Sequence, residues 1–268
     1  MLLNTRQFNT LGGHPLVVLH GLFGAQDNWL SHALTWAHDR HVVALDLRNH
    51  GMSGHSPLMD YATMAQDVYH TLRQLKLPKV DLLGHSMGGK VAIQLALDYP
   101  HQIRSLLIAD IAPVVYAPHH QTILSGLNSI NLATLKSRQQ ALDQLIEFEP
   151  NIGVCQFLLK SLFKNDQGDF SFRYNLAAIE ANYLAISAAP TGVVIEGPLK
   201  APAAAYVGPT LIIKGSYSSY ILPQHKAAFD RLLPTSKLKI MAGCGHWLHA
   251  EKPELFCRLV SHFLDQLA

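Results

Sequence analysis

The sequence predicts an α/β fold: a mostly parallel, doubly wound sheet carrying an inserted helical cap. Three observations point there. Apolar runs of strand length recur at 15–19, 41–45, 80–83, 105–109, 210–213 and 238–241. Helical patterns separate most of them, and strands alternating with helices build parallel sheets with right-handed crossovers. Of the 268 residues, 49% are hydrophobic and only 15% charged, which is enough apolar material for a sheet covered on both faces.

The elements follow in order. One short strand, at about 2–8, precedes the first strong one. Asp60 is placed to cap a helix whose apolar face runs Met64, Val68, Leu72 and Leu75, and which stops near Pro78. The run at 80–83 leads through Gly84-His85-Ser86-Met87-Gly88-Gly89 into a second, strongly apolar helix that ends before Pro100. The last helix begins near Pro253 and presents Phe256, Leu259, Val260, Phe263 and Leu267. The alternation breaks at 113–205. That stretch reads as four short helices, at about 120–132, 136–149, 152–164 and 174–186, followed by a segment with Pro190, Gly192, Gly197, Pro198 and Pro202. It lies between two strands of the sheet, so the expected organisation is a core of 1–112 and 206–268 with a cap of 113–205 inserted in it.

Composition narrows the function. A net charge of +2 and the lack of a Lys/Arg run interleaved with aromatics give no nucleic-acid footprint. Cys155, Cys244 and Cys257 are odd in number and lack metal spacing, which reads as reduced thiols in a cytoplasmic protein. Polar residues follow Met1-Leu2-Leu3 at once, so no signal peptide is expected, and no apolar stretch approaches a membrane span. The sixteen histidines lack a ligand spacing, so no metal site is expected.

The chemistry centres on Ser86. Strand, G-x-S-x-G, helix is the context in which a serine occupies a tight turn with its hydroxyl exposed, and the helix aims N–H groups at a developing oxyanion. Serine needs an adjacent base. His246, in Gly243-Cys244-Gly245-His246-Trp247, sits between the last strand and last helix, at the sheet edge where ligands bind. His249 reads as a packing residue. An acid is usual three residues after Gly215, but that position is Ser218, followed by Ser219. Asp110 closes the preceding strand beside the elbow and is the candidate to hold the His246 tautomer. The oxyanion donors are expected from the amides of Met87 and of Leu22, in His20-Gly21-Leu22-Phe23-Gly24. Asp46, Arg48 and Asn49 read as a hydrogen-bonded turn supporting the elbow. Pocket candidates are Phe23, Tyr116, Phe157, Leu158 and Trp247.

Taken together, H-G-L-F-G at 20–24, D-N at 27–28, D-L-R-N-H-G-M-S at 46–53, G-H-S-M-G-G-K at 84–90, D-I-A-P at 110–113, Q-F-L-L-K-S at 156–161 and G-H-W-L-H-A-E-K-P at 245–253 resemble the α/β-hydrolase superfamily. Within it they are most similar to the YbfF-type bacterial esterases. The resemblance covers nearly the whole chain and is weakest in the second half of the cap. It implies the α/β-hydrolase fold, a triad acid at Asp110, and hydrolysis of short- to medium-chain acyl esters or acyl-CoA thioesters as small-molecule substrates, without a cofactor. C–C bond hydrolysis or elimination on the same triad is an alternative, because the cap residues that would decide it are not fixed by sequence. A dehalogenase or epoxide hydrolase would need Asp at position 86. A non-catalytic binding protein would show a damaged triad or oxyanion loop.

Overall fold

The protein is described here by a computed structural model covering residues 1–9, 13–191 and 205–267. A seven-stranded sheet forms its centre. In chain order the strands are β1 (Thr5–Phe8), β2 (Leu16–Leu19), β3 (Val42–Leu45), β4 (Val80–His85), β5 (Ile103–Ala109), β8 (Thr210–Gly215) and β9 (Ser236–Met241), and their spatial order is β1-β3-β2-β4-β5-β8-β9. Only β1 runs antiparallel, at the edge beside β3. β6 (Leu162–Lys164) and β7 (Phe170–Phe172) pair separately as a hairpin.

The two-residue period of a strand distributes its side chains to the two faces. In β2, Leu16 and Val18 join one cluster with Trp29, Trp36 and Phe256, while Val17 and Leu19 join the opposite one with Met64, Val68 and Val91. In β5, Leu107 and Ala109 take the first face and Leu106 and Ile108 the second. All eight are fully buried or nearly so. At about 1.5–3 kcal/mol per buried Leu, Ile or Val, this double burial is the main source of the sheet's stability.

The first face is covered by α1 (Leu30–Trp36) and α11 (Pro253–Asp265), the second by α2 (Tyr61–Gln74) and α3 (Met87–Asp98). Asp60 caps α2 as expected, accepting from the Thr63 amide at 2.7 Å; such a cap is worth about 1 kcal/mol. α9 (Lys226–Leu232) follows β8, and the single turn α10 (Leu248–Glu251) precedes α11.

Between β5 and β8 lie α4 (Gln121–Ser129), α5 (Arg138–Leu145), α6 (Ile152–Leu159), the β6–β7 hairpin, α7 (Leu176–Ala181) and α8 (Tyr183–Ser187). The second helix ends at Leu145 instead of 149, and two further details differ from the sequence expectation. The third helix stops at Leu159 instead of 164, because Asn165 Oδ1 accepts from the Gln167 and Asp169 amides and Gly168 takes φ +87°, turning the chain into a hairpin. The fourth is broken at Asn182, whose side-chain amide donates to Pro57 O at 2.7 Å and Ala178 O at 2.8 Å. Most of the segment containing Gly192, Gly197, Pro198 and Pro202 lies outside the described residues. No helix among those described is long and apolar enough to cross a membrane.

Candidate active site

β4 ends at His85, and Ser86 is the next residue. It sits at φ 52°, ψ −121°, a conformation that L-residues rarely adopt and that lifts the side chain out of the turn. Strand and helix approach too closely there for side chains. A Cβ at Gly84 would stand 2.2 Å from the Gly88 carbonyl oxygen, and one at Gly88 2.5 Å from the His20 oxygen. The Ser86 amide donates to Ala109 O at 3.0 Å, which ties the turn to the end of β5.

The structure brings Ser86, His246 and Asp110 together across the sheet edge. His246 Nε2 lies 3.0 Å from Ser86 Oγ, and its Nδ1 lies 2.7 Å from Asp110 Oδ2. An ionised carboxylate only accepts, so Nδ1 carries the proton and Nε2 is left to accept from the serine hydroxyl. Asp110 is fully buried at φ 53°. Its amide donates to Ile213 O at 2.8 Å, and its Oδ1 accepts from the Gly215 amide at 3.0 Å. Ser218, at the position where a carboxylate is usual, donates its hydroxyl to Asp110 Oδ2. It therefore touches the acid and not the imidazole.

Leu22 and Met87 flank Ser86. The Gly24 amide closes a turn on Gly21 O at 3.0 Å, and the Phe23 amide, at φ 62°, donates to His50 Nε2 at 3.1 Å. Among the described residues, no hydrogen bond within the protein uses the Leu22 or Met87 amide. Met87 also opens α3, where the helix dipole favours negative charge.

His20 and His50, which stand in the 20–24 and 46–53 motifs, lock this loop by side-chain bonds that the motifs do not specify. The Leu47 amide donates to His20 Nε2 at 2.9 Å, so the His20 proton sits on Nδ1 and goes to Gly21 O at 2.8 Å. His50 likewise donates from Nδ1 to Arg48 O at 2.9 Å. Both roles need a neutral ring, and burial supplies it: His20 is pushed below the ordinary histidine range and His50 down to about 3. His85 donates from Nε2 to the His246 carbonyl at 2.9 Å, and burial beside His246 brings it to about 3. His249 stacks on Trp29 with centroids 4.6 Å apart, the packing role expected of it. Asp46 accepts from the amides of Gln26 and Met52 at 2.7 and 2.9 Å, while Arg48 pairs with buried Asp67 at 2.6 Å. That turn braces the loop beyond Phe23 and the middle of α2, and so reaches the elbow only indirectly.

A cavity of about 310 Å³ opens at Ser86 and His246. Phe23, Phe157, Leu158 and Trp247 line it as expected, with Ile123 and Val154 beside them. Tyr116 does not. It borders a separate cavity of about 40 Å³ that also reaches Ser86, because its hydroxyl is tied down, donating to Tyr220 O at 2.5 Å and accepting from the Ala112 amide at 2.9 Å. Lys90, His119, His120 and Tyr220 also border that space, none of them marked by a sequence motif as a site residue. The three cysteines are buried and unpaired. No group of three or more His, Cys, Asp or Glu among the described residues is arranged to hold a metal.

Comparison with known proteins agrees with this architecture. The model of the α/β hydrolase fold family matches residues 14–253. The chain is 34% identical over 269 residues to esterase YbfF of Escherichia coli, covering 99% of this chain and all of that one. It is 35% identical over 269 residues to ABHD11 of Mus musculus, an sn-1-specific diacylglycerol lipase, covering 96% of this chain and 84% of that protein. Among solved structures, a marine microorganism esterase superposes with a TM-score of 0.90 at 32% identity, covering 98% of this chain and 99% of the other. By its sheet order, its elbow and its kinship, the chain belongs to the α/β hydrolase fold family.

Proposed function

We propose that the chain is a serine carboxylic ester hydrolase that acts on short- to medium-chain acyl esters through an acyl-enzyme on Ser86. The observation that carries this reading is the unbroken chain from Ser86 through His246 to buried Asp110, opening into a largely apolar cavity of about 310 Å³. Relatives named as an esterase and as a lipase support ester hydrolysis.

The steps follow from the groups present. His246 Nε2 takes the Ser86 proton as Oγ attacks the ester carbonyl, and Asp110 stabilises the imidazolium that forms. The carbonyl oxygen gains charge between the Leu22 and Met87 amides, which are oriented before the reaction begins. The tetrahedral species collapses, the imidazolium gives its proton to the leaving alcohol, and the acyl group stays on Ser86. A water repeats the sequence, losing its proton to His246 and releasing the acid. Residues 113–205 serve as a cap over the sheet edge: α6 and neighbouring segments wall the acyl chain, and α8 anchors the cap to the core.

A fluorophosphonate probe and an acyl panel test the reading. The expected result is stoichiometric labelling at Ser86 and turnover of p-nitrophenyl esters from acetyl to octanoyl, with the same acyl groups offered as CoA thioesters to rank the two leaving groups. Absence of labelling, or labelling without any ester turnover, overturns the proposal.

A further inference from the structure

The His246 imidazole is held by more than its two hydrogen bonds. The Tyr220 ring lies flat against it, with centroids 3.8 Å apart and planes inclined by 18°. The His85 ring also packs against it, centroids 4.8 Å apart and tilted by 40°. Tyr220 is itself fixed at three points. Its amide donates to Ser218 Oγ at 3.2 Å, the same hydroxyl that donates to Asp110. Its carbonyl accepts from the Tyr116 hydroxyl at 2.5 Å. Its own hydroxyl meets His119 Nε2 at 2.7 Å. His119 Nδ1 faces Ala117 O at 2.9 Å, and a carbonyl only accepts, so Nδ1 carries the proton and Nε2 accepts from the tyrosine.

We propose that Tyr220 is the positioning residue for the catalytic imidazole, and that the inserted segment sets the orientation of the base by holding Tyr220 through Tyr116 and His119. This rests on the reading of His246 as base. The physical reason is geometric. The hydrogen bonds to Asp110 and Ser86 hold the two ring nitrogens at single points and resist small tilts of the ring plane only weakly, leaving the ring some torsional freedom about its Cβ–Cγ bond. A flat aromatic face 3.8 Å away removes that freedom. The π face also favours the imidazolium formed in the transition state over the neutral ring. Tyr220 and the insertion thus bear on the rate of the chemical step, not only on the shape of the pocket.

The experiment measures kcat and KM on p-nitrophenyl butyrate for the full chain and for Tyr220→Phe and Tyr220→Leu, with Ser86→Ala and His246→Ala alongside. Phe keeps the stack and the Tyr116 bond but loses the hydroxyl that His119 holds; its kcat is expected to fall by about threefold to fivefold, well short of the Leu variant, and an unchanged kcat overturns the part assigned to His119. Leu removes the stack; its kcat is expected to fall about tenfold to a hundredfold with KM changed by less than about threefold. A Leu variant with unchanged kcat, or one whose loss lies in KM alone, overturns the proposal. If the Leu variant does not fold, the unsubstituted protein still decides. The carbon-bound ring protons of His246, assigned by their absence in His246→Ala, must be shifted upfield by the stacked tyrosine, and unshifted resonances overturn the proposal. Turnover surviving in Ser86→Ala or His246→Ala would remove the underlying reading. With both inactive and Tyr220→Leu at full kcat, only the positioning role falls.

Discussion

The sheet edge and the inserted segment contribute to the same cavity by different physical means. On the sheet edge, Ser86 and Asp110 stand at the ends of adjacent strands, each at positive φ and each bonded through its backbone to the next strand. Their positions are fixed by the sheet ladder. The insertion offers side chains from short helices, such as Val154, Phe157 and Leu158, and is tied down by a few polar contacts. One is the Asn175 amide on Asn49 O at 2.8 Å; another is the Lys90 ammonium on Ser187 O at 3.2 Å. Backbone-fixed polar groups suit a reaction that needs atoms held within fractions of an ångström, and packed apolar walls suit graded recognition. Substitutions in the first region should change kcat by orders of magnitude. Those in the second should shift preference among substrates by much smaller factors.

The largest effect falls on the sheet edge. Ser86→Ala and His246→Ala are each expected to lower kcat by about 10⁴-fold or more with the fold intact, since neither side chain is part of the hydrophobic core. Steady-state kinetics with a thermal melt checks both. Asp110→Asn keeps shape but offers an amide where the imidazole needs an anion, so the wrong tautomer is stabilised; a loss of about 10⁴-fold in kcat is the expected scale. Ser218→Ala sharpens the assignment. Asp110 retains the Gly215 amide and His246, so the loss should stay within about tenfold. A Ser218 variant as impaired as Asp110→Asn would mean that the hydroxyl, and not the carboxylate, governs the imidazole.

In the insertion, Val154→Phe should fill the cavity and Phe157→Ala should enlarge it. A methylene that fits or fails to fit changes kcat/KM by about tenfold or somewhat more. The ratio of octanoyl to butyryl ester turnover should therefore fall in the first variant and rise in the second. A ratio that ignores both would place the acyl chain outside this cavity and break the division of labour between the two regions.

The same division explains what could be read from the sequence. The elbow was legible because its geometry restricts residue type: only glycine fits at positions 84 and 88, and the strand before and helix after have opposite periodicities. Asp110 was legible by its place at a strand end. The insertion was less so, because its elements are short and its run from Leu158 to Phe163 suits a helix as well as a strand. The turn residues Asn165 and Gly168 carried the hairpin signal, outweighed by that apolar run. Asn182 breaks a helix for a carbonyl at Pro57, a partner far away in the chain. Residue type and place in the chain point Tyr116 to the acyl pocket, whereas a bond to Tyr220 O fixes where its ring goes. His20 and His50 act through backbone amides 27 residues away, which no local pattern records.

Lys90 joins the two regions, and its expected effect falls on stability and not on turnover. It lies one turn after Ser86 in α3 and is only 1% exposed. Among the described residues no carboxylate pairs with it. Its ammonium donates instead to Ser187 O at 3.2 Å and Ala188 O at 2.5 Å, at the end of α8, and sits over the rings of Tyr116 and Tyr61 at 4.6 and 5.3 Å. Burial pushes its pKa down from 10.5 to about 7. The unfolded chain therefore binds more protons at this site than the folded one between about pH 7 and 10.5, and stability must rise with pH across that window. The burial cost is fully present below pH 7 and is relieved as the ammonium loses its proton. Set against Lys90→Met, which keeps the length and removes the charge, the parent should gain about 2 kcal/mol between pH 7 and pH 9. The neighbouring Tyr61 and Tyr116 do not titrate in that range, because burial raises both above the ordinary tyrosine value, and they are common to the two proteins. Urea unfolding of the pair at several pH values isolates the lysine. Parallel stability curves would mean that the two carbonyls and two ring faces hold the ammonium charged throughout, making the contact between elbow helix and insertion a permanent one.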